Sequence, residues 1–151
     1  MSAKQTMTDV LKTHNLMHIA TIDTSGMPSV RGVDFALGGK ENILYFMTRK
    51  DSRKVAHLSG NSTVAIAVDH DCPTFEDLTA LKYIKATGTA AVIDTPEEMQ
   101  QAMGLLMDKF PFLSDLPGDP EDFVGIRVTL EDVIVSDNTI AFGHTEEISF
   151  K

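Results

Sequence analysis

The chain contains no tryptophan, a single cysteine, and 13 lysines and arginines against 22 aspartates and glutamates. The lone Cys72 excludes an intrachain disulfide framework and fits a reducing compartment. A formal net charge of -9 argues against non-specific binding to nucleic acid or to an anionic membrane. No apolar run approaches the ~20 residues of a membrane-spanning helix. The first residues, Met1 to His14, lack the apolar core of a secretion signal. The expectation is therefore a cytoplasmic protein. There is no Gly-rich phosphate loop, no dinucleotide fingerprint and no internal repeat or low-complexity segment. What is present is ordinary globular composition, 42% hydrophobic and 23% charged, in 151 residues. That length fits one domain over residues 1–151 with room for a real core.

Periodicity divides the chain into elements. Lys4 to His14 reads as a helix, with Met7, Val10, Leu11 and His14 on one face. Met17 to Asp23 and Ser29 to Leu37 read as strands separated by Thr24-Ser25-Gly26 and Pro28. Arg31 and Asp34 interrupt the second of these. After Gly38-Gly39, Ile43 to Thr48 is a third strand, completing an antiparallel meander. Thr63 to Asp69 and Leu81 to Asp94 are further strands, with a loop at residues 70–80 between them. Gly88 marks a bulge or a close backbone approach. Thr95 as N-cap, Pro96 at the first position and Glu98 as capping-box partner start a long helix that ends before Pro111. Its stripe of Met99, Ala102, Met103 and Leu106 reads as core filler. Strands are expected at Phe123 to Leu130, Val133 to Ser136 and Thr139 to Phe142. About seven closely spaced strands favour a closed or nearly closed barrel.

One stretch stands out. The strand ending at Thr48 runs into Arg49, Lys50, Arg53 and Lys54, and a short helix follows, with Val55 and Leu58 on one face and Gly60 at its end. A solvated surface is the ordinary fate of such a charge run. In an acidic chain, a cationic turn that opens a helix also suits a phosphate, which meets free N–H groups and the positive end of a dipole there.

The segment Thr48-Arg49-Lys50-Asp51-Ser52-Arg53-Lys54 resembles the flavin-phosphate motif of the pyridoxamine 5′-phosphate oxidase family. In that motif a strand ends in an aromatic and Thr, and Ser-Arg-Lys follows three residues later. Met47 stands in the aromatic's place. Arg31, opening Arg-Gly-Val-Asp-Phe-Ala, resembles the family's second flavin segment. The similarity runs from about Leu16 to about Leu130. It implies a mainly β, antiparallel split β-barrel that binds FMN at the interface of a homodimer. On that resemblance, Arg53 and Lys54 neutralise the phosphate, Thr48 and Ser52 donate hydroxyl hydrogen bonds, and Arg31 adds a charge. The backbone of Gly32, Val33 and Asp34 meets the flavin's polar edge. The strands around Val33, Phe46 and Met47 pack on the ring, and Tyr83 lies where the oxidase has a flavin-contacting Gln. The Asp34 carboxylate either contacts the ring or pairs with a nearby cation.

The departures bear on activity. The oxidase ends in a segment with Trp and an Arg-x-His motif, whereas this tail reads Phe142-Gly143-His144-Thr145-Glu146. The substrate half of that enzyme is absent, as in the short, general-stress-protein-like members. The expectation is an FMN-binding oxidoreductase of undefined small substrate, with no side chain assigned as acid or base. The alternatives are a non-catalytic flavin binder and a haem-binding protein on the same fold, with His144 or His70 as axial ligand. His14, His18 and His57 read as packing or surface residues. His70, within Asp69-His70-Asp71-Cys72, lacks the repeated spacing of a zinc site.

Overall fold

The structure, a computed structural model, describes residues 1–151. Helix α1 (Ala3–Thr13) leads into strands β1 (Leu16–Ile22), β2 (Pro28–Asp34), β3 (Ala36–Leu37) and β4 (Ile43–Arg49). Helix α2 (Arg53–Gly60), β5 (Thr63–Val68), the short α3 (Phe75–Thr79) and β6 (Lys82–Val92) follow. Helix α4 (Pro96–Lys109), 3-10 turns at Pro111–Asp115 and Pro120–Asp122, β7 (Phe123–Asp137) and β8 (Thr145–Ser149) complete the chain. All strand pairs are antiparallel, in the order β2-β1-β5-β6-β7-β4-β3, with β8 on β7.

β2 and β3 lie at opposite ends of that order, yet only Phe35 separates them in sequence. The sheet therefore curls until one bent strand joins its two ends. The expected single strand over Ser29 to Leu37 is thus broken at a residue that is fully buried. The alternation of β4 explains both layers of packing. Leu44 and Phe46 enter the barrel, where Met17, Ile19, Ile66, Ile84, Ile126 and Val128 join them in the main core. Tyr45 faces outward and packs with Ala102, Leu106 and Phe110 beneath α4. The Tyr45 hydroxyl donates to Glu98 Oε2 at 3.0 Å, and Arg127 pairs with Glu98 Oε1. Glu98 is thereby drawn away from the α4 cap. Thr95 accepts the Glu98 backbone N–H at 3.3 Å, but the reciprocal half of the expected capping box is not made. A full capping box instead starts α1, between Ser2 and Gln5.

β7 runs unbroken for 15 residues where two strands are expected. Its first half pairs with β4 and its second half with β8, while β6 follows it along the other side. The register shifts between Thr87 and Gly88. A β-carbon on Gly88 would lie 2.0 Å from the carbonyl oxygen of Thr129. The residues expected as a last strand, Thr139 to Phe142, form a turn instead, with Ile140 and Phe142 exposed. The pairing strand is β8, farther along. The loop at residues 70–80 carries α3, capped by Thr74.

Gly88→Ala should destabilise the fold by about 3 kcal/mol, the upper end of ordinary overpacking, because the clash is with backbone. Urea unfolding of the variant beside the wild type measures this; equal midpoints would refute the close-packing account of the bulge.

Candidate functional site

The bend at Phe35 sets the C-terminal end of β2 beside the end of β4, and a cleft of about 470 Å³ opens there. Gly32, Val33 and Asp34 of β2, Met47 and Thr48 of β4, and Lys54 of α2 all line it. Six of the residues singled out in the sequence therefore share one cavity. Thr48, 7% exposed, donates to the Ser52 hydroxyl at 3.2 Å. Ser52 is the N-cap of α2 but makes no capping hydrogen bond. Its own hydroxyl proton and the first-turn N–H groups of α2 are thus not consumed by a side-chain cap.

Lys54 lines the cleft; Arg31 and Ser52 do not, but Arg31 lies near enough to Lys54 for their charges to interact, and Ser52 meets Thr48. The Arg31 guanidinium is held by neutral oxygens: Thr21 Oγ1 at 2.6 Å, the Ser29 carbonyl at 2.9 Å and Ser29 Oγ at 3.1 Å. Burial lowers the Arg31 pKa. Burial, and then the charge of Arg31, lowers the Lys54 pKa below the usual lysine value. Neither cation has a carboxylate within salt-bridge distance. Two half-buried cations beside each other without an acid are unfavourable alone and favourable around an anion. Thr21, buried completely, and His57 are the positioning residues that sequence reasoning missed. Thr21 Oγ1 accepts from Arg31 and is hydrogen-bonded to His57 Nδ1 at 2.8 Å.

Three expected site residues lie elsewhere. Phe46 is fully buried in the barrel core, because strand alternation turns it inward while Met47 faces the cleft. It does not reach a ligand in the cleft. Arg53 is exposed and does not line the cleft; it precedes Lys54 by one residue, about 100° around the helix. Tyr83 sits on β6 opposite Ser136, away from its own chain's cleft. The apolar wall was also missed as a site. It comprises Met99, Met103, Leu106 and Phe110 of α4, with Leu113, Leu116 and Phe123 after it. Of the stripe read as core filler, Ala102 and Leu106 are buried in the core, while Met99 and Met103 are half-exposed and, with Leu106, line the cavity.

Asp34 adds a carboxylate at the cleft. The cation it acts on is Lys109, whose charged form it favours. Lys109 donates to the carbonyls of Leu11 and His14 at the end of α1, and its ammonium lies 4.1 Å from the Phe35 ring centroid. Burial nonetheless pulls its pKa down to about 8.

Residues 3–137 match the model of the pyridoxamine 5′-phosphate oxidase family. The chain belongs to that family. No curated protein matches this oxidase-family chain in sequence. Among solved structures, it is similar to a haem-binding protein from Mycobacterium smegmatis, at TM-score 0.80 and 17% identity over 99% of this chain. It spans 58% of the length of that protein. HutZ, the haem storage protein of Vibrio cholerae, aligns at TM-score 0.71 and 20% identity, covering 87% of this chain and 92% of HutZ. A Listeria innocua protein assigned to the pyridoxamine 5′-phosphate oxidases aligns at TM-score 0.69 and 15% identity, covering 89% and 98%. These similarities establish the split-barrel fold: a mainly antiparallel barrel with flanking helices. No helix is long and apolar enough to cross a membrane.

Lys109 generates a pH prediction. Its folded pKa lies below the unfolded value of about 10.4, so the unfolded chain holds this proton where the folded chain has released it. The residue's stabilising contribution is therefore greatest above the unfolded pKa and is lost as pH falls through about 8. Relative to Lys109→Met, the wild type should gain stability between pH 8 and 10. Urea unfolding of both proteins across that range checks the sign.

Proposed function

We propose that this protein binds FMN in the cleft and acts as a flavin-dependent oxidoreductase on a small substrate, as a homodimer. The observation that carries the reading is the Arg31–Lys54 pair, two partly buried cations with no carboxylate partner, of which Lys54 lines the cleft and Arg31 neighbours Lys54. FMN has the matching chemistry. Its phosphate dianion suits Lys54 and Arg31, with hydroxyl donors at Thr48 and Ser52 and the unconsumed N–H groups of α2. Its flat ring suits the wall of Met47, Met99, Met103, Leu106 and Phe110, and its imide N–H suits the Asp34 carboxylate. When bound, the cofactor supplies the electron transfer; the protein holds it, aims it and excludes water.

Support for the second copy comes from the outer face of β1, β2, β5 and β6. That face exposes Leu16, His18, Val30 and Ala65. Tyr83 alternates onto the same face, so a contact between Tyr83 and a flavin would be made across the subunit interface.

A second reading is haem binding, which the names of the Mycobacterium and Vibrio neighbours favour. The candidate ligands are weakly placed for it. His144 stands 3.6 Å from Glu146 at the start of β8, outside the cleft. His70 is already engaged by His14.

Purified protein should take up FMN, quench its fluorescence on binding and sediment as a dimer. Lys54→Ala and Arg31→Ala should each weaken FMN binding by about 10- to 100-fold, the worth of one charge-assisted contact. Arg53→Ala should leave it nearly unchanged. Wild-type protein that ignores FMN but develops a shifted Soret band with haem, lost in His144→Ala, would overturn the flavin reading in favour of the second.

A further inference from the structure

Away from the cleft, two imidazoles meet. His14, the C-cap of α1, and His70, in the connection between β5 and α3, bring Nε2 and Nδ1 to 2.8 Å, with ring centroids 5.0 Å apart. His14 Nδ1 lies 2.8 Å from the Val10 carbonyl oxygen and 3.2 Å from Thr13 Oγ1. The carbonyl accepts only, so His14 carries its proton on Nδ1 and turns a lone pair from Nε2 towards His70. A histidine whose second nitrogen donates to a backbone carbonyl is oriented as metal-ligating histidines are. Asp69 and Asp71 flank His70 and add negative charge in a chain already at -9.

We propose that His14 and His70 form a two-imidazole binding site for a late divalent transition metal, zinc or copper. Imidazole nitrogen is the preferred donor for both. With metal–nitrogen bonds of about 2.0–2.1 Å at tetrahedral or square-planar angles, the two nitrogens stand about 2.9–3.4 Å apart. The observed spacing needs a few tenths of an ångström of opening, and since the two nitrogens now lie almost in line, each ring must also tilt so that both lone pairs meet one ion. The ion takes the place of the proton between the rings. In the neutral pair that proton sits on His70 Nδ1; it leaves to solvent as Nε2 of the exposed His70 ring takes one up, so the charge balances without net release. No group of three His, Cys, Asp or Glu side chains is gathered to hold a metal, so water completes the coordination and the affinity is moderate. The Lys109 ammonium at the His14 carbonyl opposes the ion. The bound metal ties the end of α1 to the β5–α3 connection, joining segments 56 residues apart in sequence.

Tag-free protein titrated with zinc chloride and with copper(II) chloride by calorimetry tests the site. One equivalent should bind, and the melting temperature should rise, since a ligand selective for the folded state stabilises it. His70→Ala, at an exposed position, should weaken binding at least tenfold and abolish the rise, and His14→Gln should do the same. His144→Ala should bind as wild type does. Equal affinity in wild type and His70→Ala, or loss of binding in His144→Ala alone, would overturn the proposal. Neither outcome depends on the flavin reading.

Discussion

The bend at Phe35 is the constraint on which the molecule turns. One residue separates a strand that pairs at one end of the sheet from a strand that pairs at the other. Holding that residue fixed closes the barrel. Phe35 is held from every side: its N–H donates to the Asn15 carbonyl at 3.1 Å, its ring is fully buried, and the Lys109 ammonium lies over that ring. The end of α1, the end of α4 and the β2–β3 junction are thereby tied at one point. The cleft is a by-product of this closure. Arg31 and Asp34 come from β2 and Thr48 and Lys54 from the end of β4 and the helix after it, segments that meet only because the sheet curls.

β7 distributes the other contacts. It cannot keep both β4 and β8 as neighbours along its whole length, so β4 takes the first half and β8 the second. The shift of register at Gly88 falls where the exchange occurs. Bulges add twist, and twist there lets β4 diverge to follow the barrel wall. Gly88 has to lack a β-carbon because the Thr129 carbonyl occupies the space. The small residue thus serves the splitting of the sheet rather than a turn.

The parts of this structure legible in the sequence were those set by local chemistry. The strand at Ile43 to Thr48, the Thr95-Pro96 helix start and the cationic turn after Thr48 each depend on neighbouring residues, and each is found in place. Lys54, Thr48, Met47 and the Gly32–Asp34 segment share one cavity. What was illegible depended on tertiary choice. Phe46 and Met47 are adjacent and both apolar, and only the direction of the barrel decides which meets the core. Arg53 and Lys54 carry the same charge, and helix phase alone selects Lys54. Glu98 has a capping-box position, yet Arg127 and Tyr45 outbid the Thr95 N–H for its carboxylate. Thr139 to Phe142 has strand-forming residues but lies in the turn closed by the Gly143 N–H on Asn138 Oδ1, whereas Thr145–Ser149 finds β7.

The electrostatics of the cleft work against the whole protein's field. A chain of net charge -9 repels a phosphate-bearing ligand at long range. Salt at physiological strength screens charges beyond about 8 Å, so the long-range repulsion fades while the contacts at Arg31 and Lys54 persist. Binding of such an anion should therefore be accelerated by added salt at low ionic strength, the reverse of steering by a basic surface. Its affinity must come from the local arrangement. Arg31 is fixed by Thr21 and Ser29 before any ligand arrives, so little ordering remains to be done on binding. The repulsion between Arg31 and Lys54, already present in the free protein, would be relieved by the proposed anion. On the proposed reading, the pair that is unfavourable in the empty cleft would favour the loaded one.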